Sequence, residues 1–182
     1  MARELSALFK LDEKIFVITG AAGLLGQKHA EAIAAYGGTP ILLDLSKAEV
    51  EKIAVQLKQK YGVEAVGFAV DITVESQIEK NAATLLKRFG KIDGLVNNAA
   101  NNPKIEGDSK NNFSRLENFP VETWDQEIAV GLTGAFLCAK HYGNAIAQNP
   151  MGGSIVNISS DLGLIGPDQR LYLKEGVPEN QQ

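Results

Sequence analysis

The hydrophobic positions of the chain fall into five short runs, separated by longer segments with a different spacing. The runs cover residues 15–18, 40–43, 65–70, 92–96 and 154–158. Each is nearly continuous rather than alternating, which indicates a β-strand covered on both faces. The sequence therefore predicts five strands inside a layered domain.

The segments between these runs carry the spacing of helices. Apolar residues recur three and four positions apart in segments 50–61 and 74–89. Ser46 and Glu49 form a capping-box pattern, in which each residue can satisfy a free N–H of the first helical turn. By analogy, a further helix is expected over about residues 122–147. Three helices should end at a glycine, which adopts the left-handed conformation that closes a helix: Gly37, Gly62 and Gly90.

Strands and helices alternate along the chain, and this order is typical of a doubly wound parallel sheet with right-handed crossovers. The predicted fold class is therefore α/β, with helices on both faces of the sheet. Residues 1–182 are expected to form a single domain, because no linker or low-complexity segment interrupts them. The Asn-rich segment 101–120 follows a strand, at the sheet edge where ligands bind.

Composition narrows the range of partners. Hydrophobic residues make up 45% of the 182 residues, and 22 acids against 18 bases give a net charge of −4. This balance argues against nucleic acid as a partner. No segment is long enough to span a bilayer, no signal peptide is visible, and Cys138 is the single cysteine. We therefore expect a cytoplasmic protein with no membrane partner, and no metal site because His29 and His141 lie far apart.

A glycine-rich loop is the main candidate for chemistry. Residues 19–26 read Thr-Gly-Ala-Ala-Gly-Leu-Leu-Gly, between the first strand and the first helix. Glycines there allow a tight turn and a close backbone approach to a pyrophosphate, which meets the helix N-terminus. Asp44 ends the second strand, 18 residues past Gly26, and an acid there accepts hydrogen bonds from ribose hydroxyls. The predicted cofactor is NAD, with NADP disfavoured by charge.

Five motifs in this order resemble the short-chain dehydrogenase/reductase family, whose fold is of the Rossmann type. They are the 19–26 loop, Asp44, Asp-Ile-Thr at 71–73, Asn-Asn-Ala-Ala at 97–100 and Ile-Val-Asn-Ile-Ser-Ser at 155–160. The resemblance implies that Ser160 is the catalytic serine. The cofactor-binding residues expected from the loop and the resemblance are Gly20, Ala22, Gly23, Leu24, Leu25, Gly26, Asp44, Leu45, Asp71, Ile72, Asn98, Ala99 and Ala100.

The resemblance also implies a reaction: reversible hydride transfer between a secondary alcohol or ketone and the nicotinamide. In the family a tyrosine is the general acid/base, and a lysine four residues later lowers its pKa. The serine hydroxyl holds the substrate oxygen.

The chain departs from the family pattern in three places. Leu24 replaces a glycine of the phosphate loop, and Gly131 replaces the asparagine of the fourth helix. Tyr172 is followed four residues later by Gly176, while Lys174 is only two residues away. Residues two apart do not share a helix face. We therefore expect Tyr172 to be a loop residue rather than the catalytic tyrosine.

The missing Tyr-x-x-x-Lys pair suggests how much of the family's fold these 182 residues cover. Residues 1–182 are interpreted as the N-terminal portion of a longer protein, stopping before the Tyr-x-x-x-Lys helix. The fifth strand would then be an unpaired edge, and the 182-residue chain alone is expected to be inactive. The full-length form would be a homodimer or homotetramer, as the resemblance implies.

The sequence is compatible with two functions. The first is an NAD-dependent oxidoreductase that acts on a small molecule, such as a sugar derivative, with a resemblance to a subgroup linked with flagellin modification and surface-sugar synthesis. The second is a non-catalytic NAD-binding sensor or scaffold. The missing Tyr/Lys pair and Gly131 favour the second, whereas Ser160 favours the first.

Overall fold

The computed structural model describes residues 9–101, 116–166, 168–173 and 175–178. The elements in this part of the chain alternate as predicted. Short 3₁₀ turns cover Leu116–Asn118, Asp161–Gly163 and Gln169–Tyr172. The strands and longer helices are β1 Ile15–Thr19, α1 Leu24–Ala35, β2 Thr39–Asp44, α2 Lys47–Tyr61, β3 Val66–Ala69, α3 Glu75–Phe89, β4 Gly94–Asn97, α4 Val121–Ile128, α5 Ala135–Ala147 and β5 Ser154–Asn157.

The five strands form one parallel sheet in the order β3-β2-β1-β4-β5. In register, Val17 of β1 lies between Ile41 of β2 and Leu95 of β4. The chain builds outward from β1 to β3 and then returns to the other side of β1. This reversal confirms the doubly wound α/β fold and opens a crevice where the carboxyl ends of β1 and β4 diverge.

Successive strand residues face opposite layers, which explains the continuous apolar runs. Val17 belongs to a buried cluster with residues of α3 and α5, such as Leu85 and Tyr142. Its neighbour Ile18 belongs to a second cluster with residues of α1 and α2, such as Leu57. Both Val17 and Ile18 have no exposed surface. The sheet is therefore covered on both faces, as the sequence predicts.

The helix ends also match the sequence prediction. Gly37, Gly62 and Gly90 have φ values of +88°, +70° and +78°, in the left-handed region. At the start of α2, the Ser46 half of the predicted capping box is present, because the Glu49 N–H donates to Ser46 Oγ at 3.4 Å. Local sequence signals thus set the lengths of the first three helices.

The predicted helix over 122–147 is present, but it is not regular. A π-helical turn, Ala129–Gly134, separates α4 from α5. Gly134 lies so close to Ile72 that a Cβ on Gly134 would be 2.7 Å from Ile72 Cδ1. The wider turn, which spans two glycines, therefore brings the helix backbone close to the end of β3.

Strand β5 is the last strand of the sheet among the described residues, and all four of its residues are exposed. This agrees with the predicted edge position. Residues 102–115, most of the predicted Asn-rich loop, lie outside the described part of the chain. Within that described part, no helix has the length and apolarity needed to cross a membrane.

A buried carboxylate anchors the amino-terminal ends of the central strands β1 and β4. Asp93, only 5% exposed, accepts a hydrogen bond from the Ile15 N–H at 3.0 Å and one from Lys14 Nζ at 2.9 Å. Lys91 Nζ lies 3.3 Å from the same carboxylate. Burial on its own raises the pKa of Asp93, but the Ile15 N–H and the two ammonium groups outweigh it and lower the pKa.

Asp93→Asn should destabilise the protein by about 1–3 kcal/mol at pH 7, because the Ile15 N–H and two cations lose a charged partner. The folded pKa of Asp93 lies below its unfolded value, so this stabilisation is present above the unfolded pKa. It is lost as the pH falls through the folded pKa. Urea unfolding of both proteins at pH 7 and at about pH 3 should show the difference shrinking in acid. A difference that does not change with pH would contradict the role of the Asp93 charge.

Candidate functional site

A cleft of about 680 Å³ opens at the carboxyl ends of β1, β2, β3 and β4. Twelve of the thirteen predicted cofactor residues line it, and the exception is Gly26, which lies beneath the loop. Of the other four lining residues, Asn101 belongs to the segment expected near the ligand, whereas sequence reasoning missed Leu43, Val70 and Val130. The lining residues are Gly20, Ala22, Gly23, Leu24, Leu25, Leu43, Asp44, Leu45, Val70, Asp71, Ile72, Asn98, Ala99, Ala100, Asn101 and Val130.

The glycine loop is packed too closely for side chains. Gly20 has φ +63°, and a Cβ there would lie 2.8 Å from Ala99 Cα. A Cβ on Gly26 would lie 2.2 Å from the Gly20 carbonyl oxygen. Both glycines are therefore required for the tight turn and for the packing of α1 on that turn.

Helix α1 presents a free N-terminus to the cleft. It begins at Leu24, after Gly23 in an extended conformation. No described side chain caps it, and its first turn contains no acidic residue. Its first backbone N–H groups and the positive end of the helix dipole can therefore receive an anion such as a diphosphate. The unexpected Leu24 is 82% exposed, so its side chain does not fill the turn.

A hydrogen-bond network joins the glycine loop to the end of β4. Thr19 Oγ1 accepts from the N–H groups of Asn98 and Ala99, both at 3.0 Å, and lies 3.4 Å from the Val96 carbonyl. The Asn98 side-chain amide donates to the carbonyls of Thr19 and Gly20 at 3.0 and 3.2 Å. Asn98 therefore braces the loop while it lines the cleft.

Asp44 has a contact that the sequence did not reveal. Its Oδ2 accepts from the Ala22 N–H at 2.9 Å, and its Oδ1 accepts from the Leu45 N–H at 2.8 Å. The carboxylate therefore holds the glycine loop in place. An ionised carboxylate has about four acceptor positions, so two remain for hydroxyl donors.

Asp71 and Ile72 occupy the adjoining wall, after β3. Asp71 Oδ1 accepts from the N–H and the hydroxyl of Thr73 at 2.9 and 2.6 Å. The Asp71 N–H donates to Gln77 Oε1 at 2.9 Å. Ile72 is 7% exposed and packs against the π-helical turn. This wall offers a mostly buried apolar side chain and one carboxylate to a ligand.

The cleft lining contains two carboxylates and, among the described residues, no lysine or arginine. Positive potential comes from backbone N–H groups at the start of α1, and negative potential comes from Asp44 and Asp71. A ligand with an anionic centre and an uncharged hydroxylated end matches this distribution.

Ser160, the predicted catalytic residue, does not line this cleft. It follows β5, one strand further from the crevice between β1 and β4. Its Oγ accepts from the Leu162 N–H at 3.2 Å and donates to Asp161 Oδ1 at 3.1 Å. The Ser160 side chain is exposed at the same edge of the sheet. Its catalytic role stays a prediction.

The backbone at Tyr172 forms a short turn rather than a regular α-helix. The 3₁₀ turn Gln169–Tyr172 ends at Leu173, which is extended at φ −64° and ψ 130°. Gly176 has φ +79°. Lys174 lies outside the described residues.

Other reactive side chains are buried and structural. Burial raises the pKa of the Cys138 thiol to about 12, so the reactive thiolate is negligible at neutral pH. The buried Tyr142 hydroxyl donates to Asn81 Oδ1 at 2.9 Å. Among the described residues, no cluster of three His, Cys, Asp or Glu side chains could hold a metal.

Gly26→Ala should destabilise the protein by about 1–3 kcal/mol or more, because the new methyl group collides with the Gly20 carbonyl. The matched control is Gly131→Ala in the π-helical turn, where an added Cβ meets no atom within 4 Å. We expect the control to change stability by less than about 1 kcal/mol. Thermal and urea unfolding measure both variants. Equal stability of Gly26→Ala and the parent would contradict the close approach of α1 to the loop.

Comparison with known proteins connects this geometry to a family. The family model described as short chain dehydrogenase matches residues 14–172. An NAD-dependent glycerol dehydrogenase from Listeria innocua is 32% identical and matches 90% of this chain and 59% of its own length. An NADP-dependent mannitol dehydrogenase from Alternaria alternata is also 32% identical, over 87% of this chain and 57% of its own length. Relatives of both cofactor classes therefore match.

The fold comparison agrees. The crystal structure of an NAD⁺-bound xylitol dehydrogenase superimposes with a TM-score of 0.76 at 30% identity, covering 87% of this chain and 57% of that one. The chain thus spans a little over half the length of these relatives. With its doubly wound sheet, its glycine loop and a family match over most of its residues, the chain belongs to the short-chain dehydrogenase family.

Proposed function

We propose that the cleft binds NAD in preference to NADP, and that the protein is an oxidoreductase for a small secondary alcohol or ketone. The observation that carries the proposal is the pairing of an uncapped helix N-terminus with a carboxylate at the end of β2. The first attracts the diphosphate of a dinucleotide, and the second accepts hydrogen bonds from ribose hydroxyls. Both features belong to one continuous cleft.

The preference for NAD rests on charge. A 2′-phosphate beside Asp44 would place two negative groups in contact, and the described lining offers no lysine or arginine to offset them. The carboxylate is fixed by the N–H groups of Ala22 and Leu45, so it cannot swing away without freeing both. NADP therefore carries an electrostatic cost that NAD does not.

Residues of this chain would position the reactants. Bound NAD would accept the hydride, and the alcohol proton would go to the family's general-base tyrosine, a role that Tyr172 is not expected to fill. The N-terminus of α1 would hold the diphosphate, Asp44 would hold the ribose, and Ile72 would pack beside the adenine. Ser160 exchanges its hydrogen bond with Asp161 for one to the substrate oxygen, and this bond strengthens as negative charge develops on that oxygen.

The proposed substrate class is a polyol or the matching ketose. The relatives described above are named for glycerol, mannitol and xylitol, and each of these carries adjacent hydroxyl groups. A sugar derivative used in flagellin modification or surface-sugar synthesis stays a narrower prediction within this class. The homodimeric or homotetrameric state and the cytoplasmic location also stay predictions.

A second candidate is a non-catalytic NAD sensor or scaffold. Gly131 stands where the family has the asparagine of the fourth helix, so that side chain is missing. Gly176, rather than a lysine, lies four residues after Tyr172. Both departures remove groups that the family uses for proton transfer, while the uncapped helix N-terminus and Asp44 remain in the cleft. Such a protein would bind NAD without oxidising an alcohol.

Asp44→Ala should lower the ratio of the NADP to the NAD dissociation constant by about tenfold, because the repulsion of the 2′-phosphate disappears. The ratio is the useful quantity, since loss of the Ala22 contact weakens both cofactors. Calorimetric titration with NAD and NADP measures it. Asp71→Asn, which removes one charge from the same cleft, should leave the ratio near the parent value. Equal ratios in the parent and Asp44→Ala would show that Asp44 does not face the ribose.

The 182-residue chain is first assayed with NAD and a panel of polyols, because turnover would support the oxidoreductase, whereas its absence fits both candidate functions. We expect binding without turnover, because no lysine follows Tyr172 at helical spacing. Turnover above the rate without protein would contradict this and assign catalysis to residues 1–182. Reading the coding DNA past codon 182 completes the test: an in-frame Tyr-x-x-x-Lys supports the oxidoreductase, and a stop codon supports the sensor.

A further inference from the structure

Two asparagines form a joint between the last two strands of the sheet. Asn97 and Asn157 are register partners at the carboxyl ends of β4 and β5. Asn97 Nδ2 donates to Asn157 Oδ1 at 2.8 Å and lies 3.3 Å from the Ala135 carbonyl oxygen, immediately after the π-helical turn. One buried amide therefore touches two strands and a helix.

The orientation of the Asn97 amide is fixed by chemistry. The Ala135 carbonyl can only accept a hydrogen bond, so the amide nitrogen of Asn97 must face it. Rotating the amide would place its oxygen against that carbonyl. Asn97 is 7% exposed, whereas Asn157 is exposed at the sheet edge.

This orientation leaves the other end of the amide without a partner. Asn97 Oδ1 is buried, and no donor in the described part of the chain forms a hydrogen bond with it. A buried acceptor in a polar setting is almost always paired, and a water molecule commonly serves where no protein donor reaches.

We propose that Asn97 Oδ1 binds an internal water molecule, and that the Asn97 amide is a positioning device for the site. Val130 of the π-helical turn lines the cleft, and Gly134 packs on Ile72. Ser160 follows Asn157 by three residues. Asn97 thus holds the cleft wall and the serine-bearing strand in a fixed relation, without lying in the cleft lining itself.

The positioning role predicts opposite results for the same substitution at the two positions. Asn157→Asp keeps an oxygen acceptor for Asn97 Nδ2, so the joint survives. Asn97→Asp removes the donor and sets a carboxylate against the Ala135 carbonyl, so the joint opens. We expect amide hydrogen exchange over 129–135 and 154–160 to become about tenfold faster in Asn97→Asp, and to stay at the parent rate in Asn157→Asp.

Exchange in α2, which the joint does not touch, is the internal reference. Faster exchange confined to the two segments supports positioning. Equal acceleration in α2, or equal behaviour of the two aspartate variants, would overturn it. The measurement is made without NAD, so its outcome does not depend on the proposed cofactor.

The proposed water molecule at Asn97 Oδ1 is tested in the parent protein, without any substitution. A crystal structure at a resolution that shows ordered solvent should contain a water within hydrogen-bond distance of Asn97 Oδ1. In solution, the Asn97 side-chain amide protons should show a cross-peak to a long-lived water in a nuclear Overhauser experiment. An Asn97 oxygen without solvent density and without that cross-peak would overturn the water site.

Discussion

The site depends on a small buried hydrogen-bond network that fastens the end of β1 to the end of β4. Thr19, 1% exposed, accepts through its hydroxyl from two backbone N–H groups of the segment after β4. The Asn98 side chain returns two hydrogen bonds to the backbone of Thr19 and Gly20. Such a fully paired network is rigid. The network holds Gly20 close to Ala99, and it therefore fixes the turn that places the N-terminus of α1 at the cleft.

The two acids of the cleft are likewise held in place before a ligand binds. Asp44 is held by the backbone of the glycine loop, and Asp71 is held by Thr73. A carboxylate that is already oriented loses little entropy when a ligand arrives, and its remaining acceptor positions point in set directions. The loop, the helix N-terminus and the two acids therefore act as one preorganised surface for a ligand that is anionic at its centre and neutral at its hydroxylated end.

Much of this arrangement could be predicted because it follows from local signals and topology. Continuous apolar runs marked the strands, and glycines marked the helix ends. Parallel strands bring their carboxyl ends to one edge, so residues far apart in sequence could be assigned to one cleft. The Asp44–Ala22 contact, the π-helical turn and the Asn97–Asn157 pair could not be predicted. They depend on strand register and on side-chain placement at the level of single hydrogen bonds, which spacing does not encode.

NAD binding in the cleft is measured most directly by titrating the folded 182-residue chain with NAD while recording backbone amide resonances. Saturable binding of one NAD per chain is predicted, with the largest shifts at the amides of Ala22, Leu24 and Leu45, which line the cleft where we propose the diphosphate and ribose bind. A folded sample whose resonances at these three residues do not move at saturating NAD would contradict the cleft as a dinucleotide site.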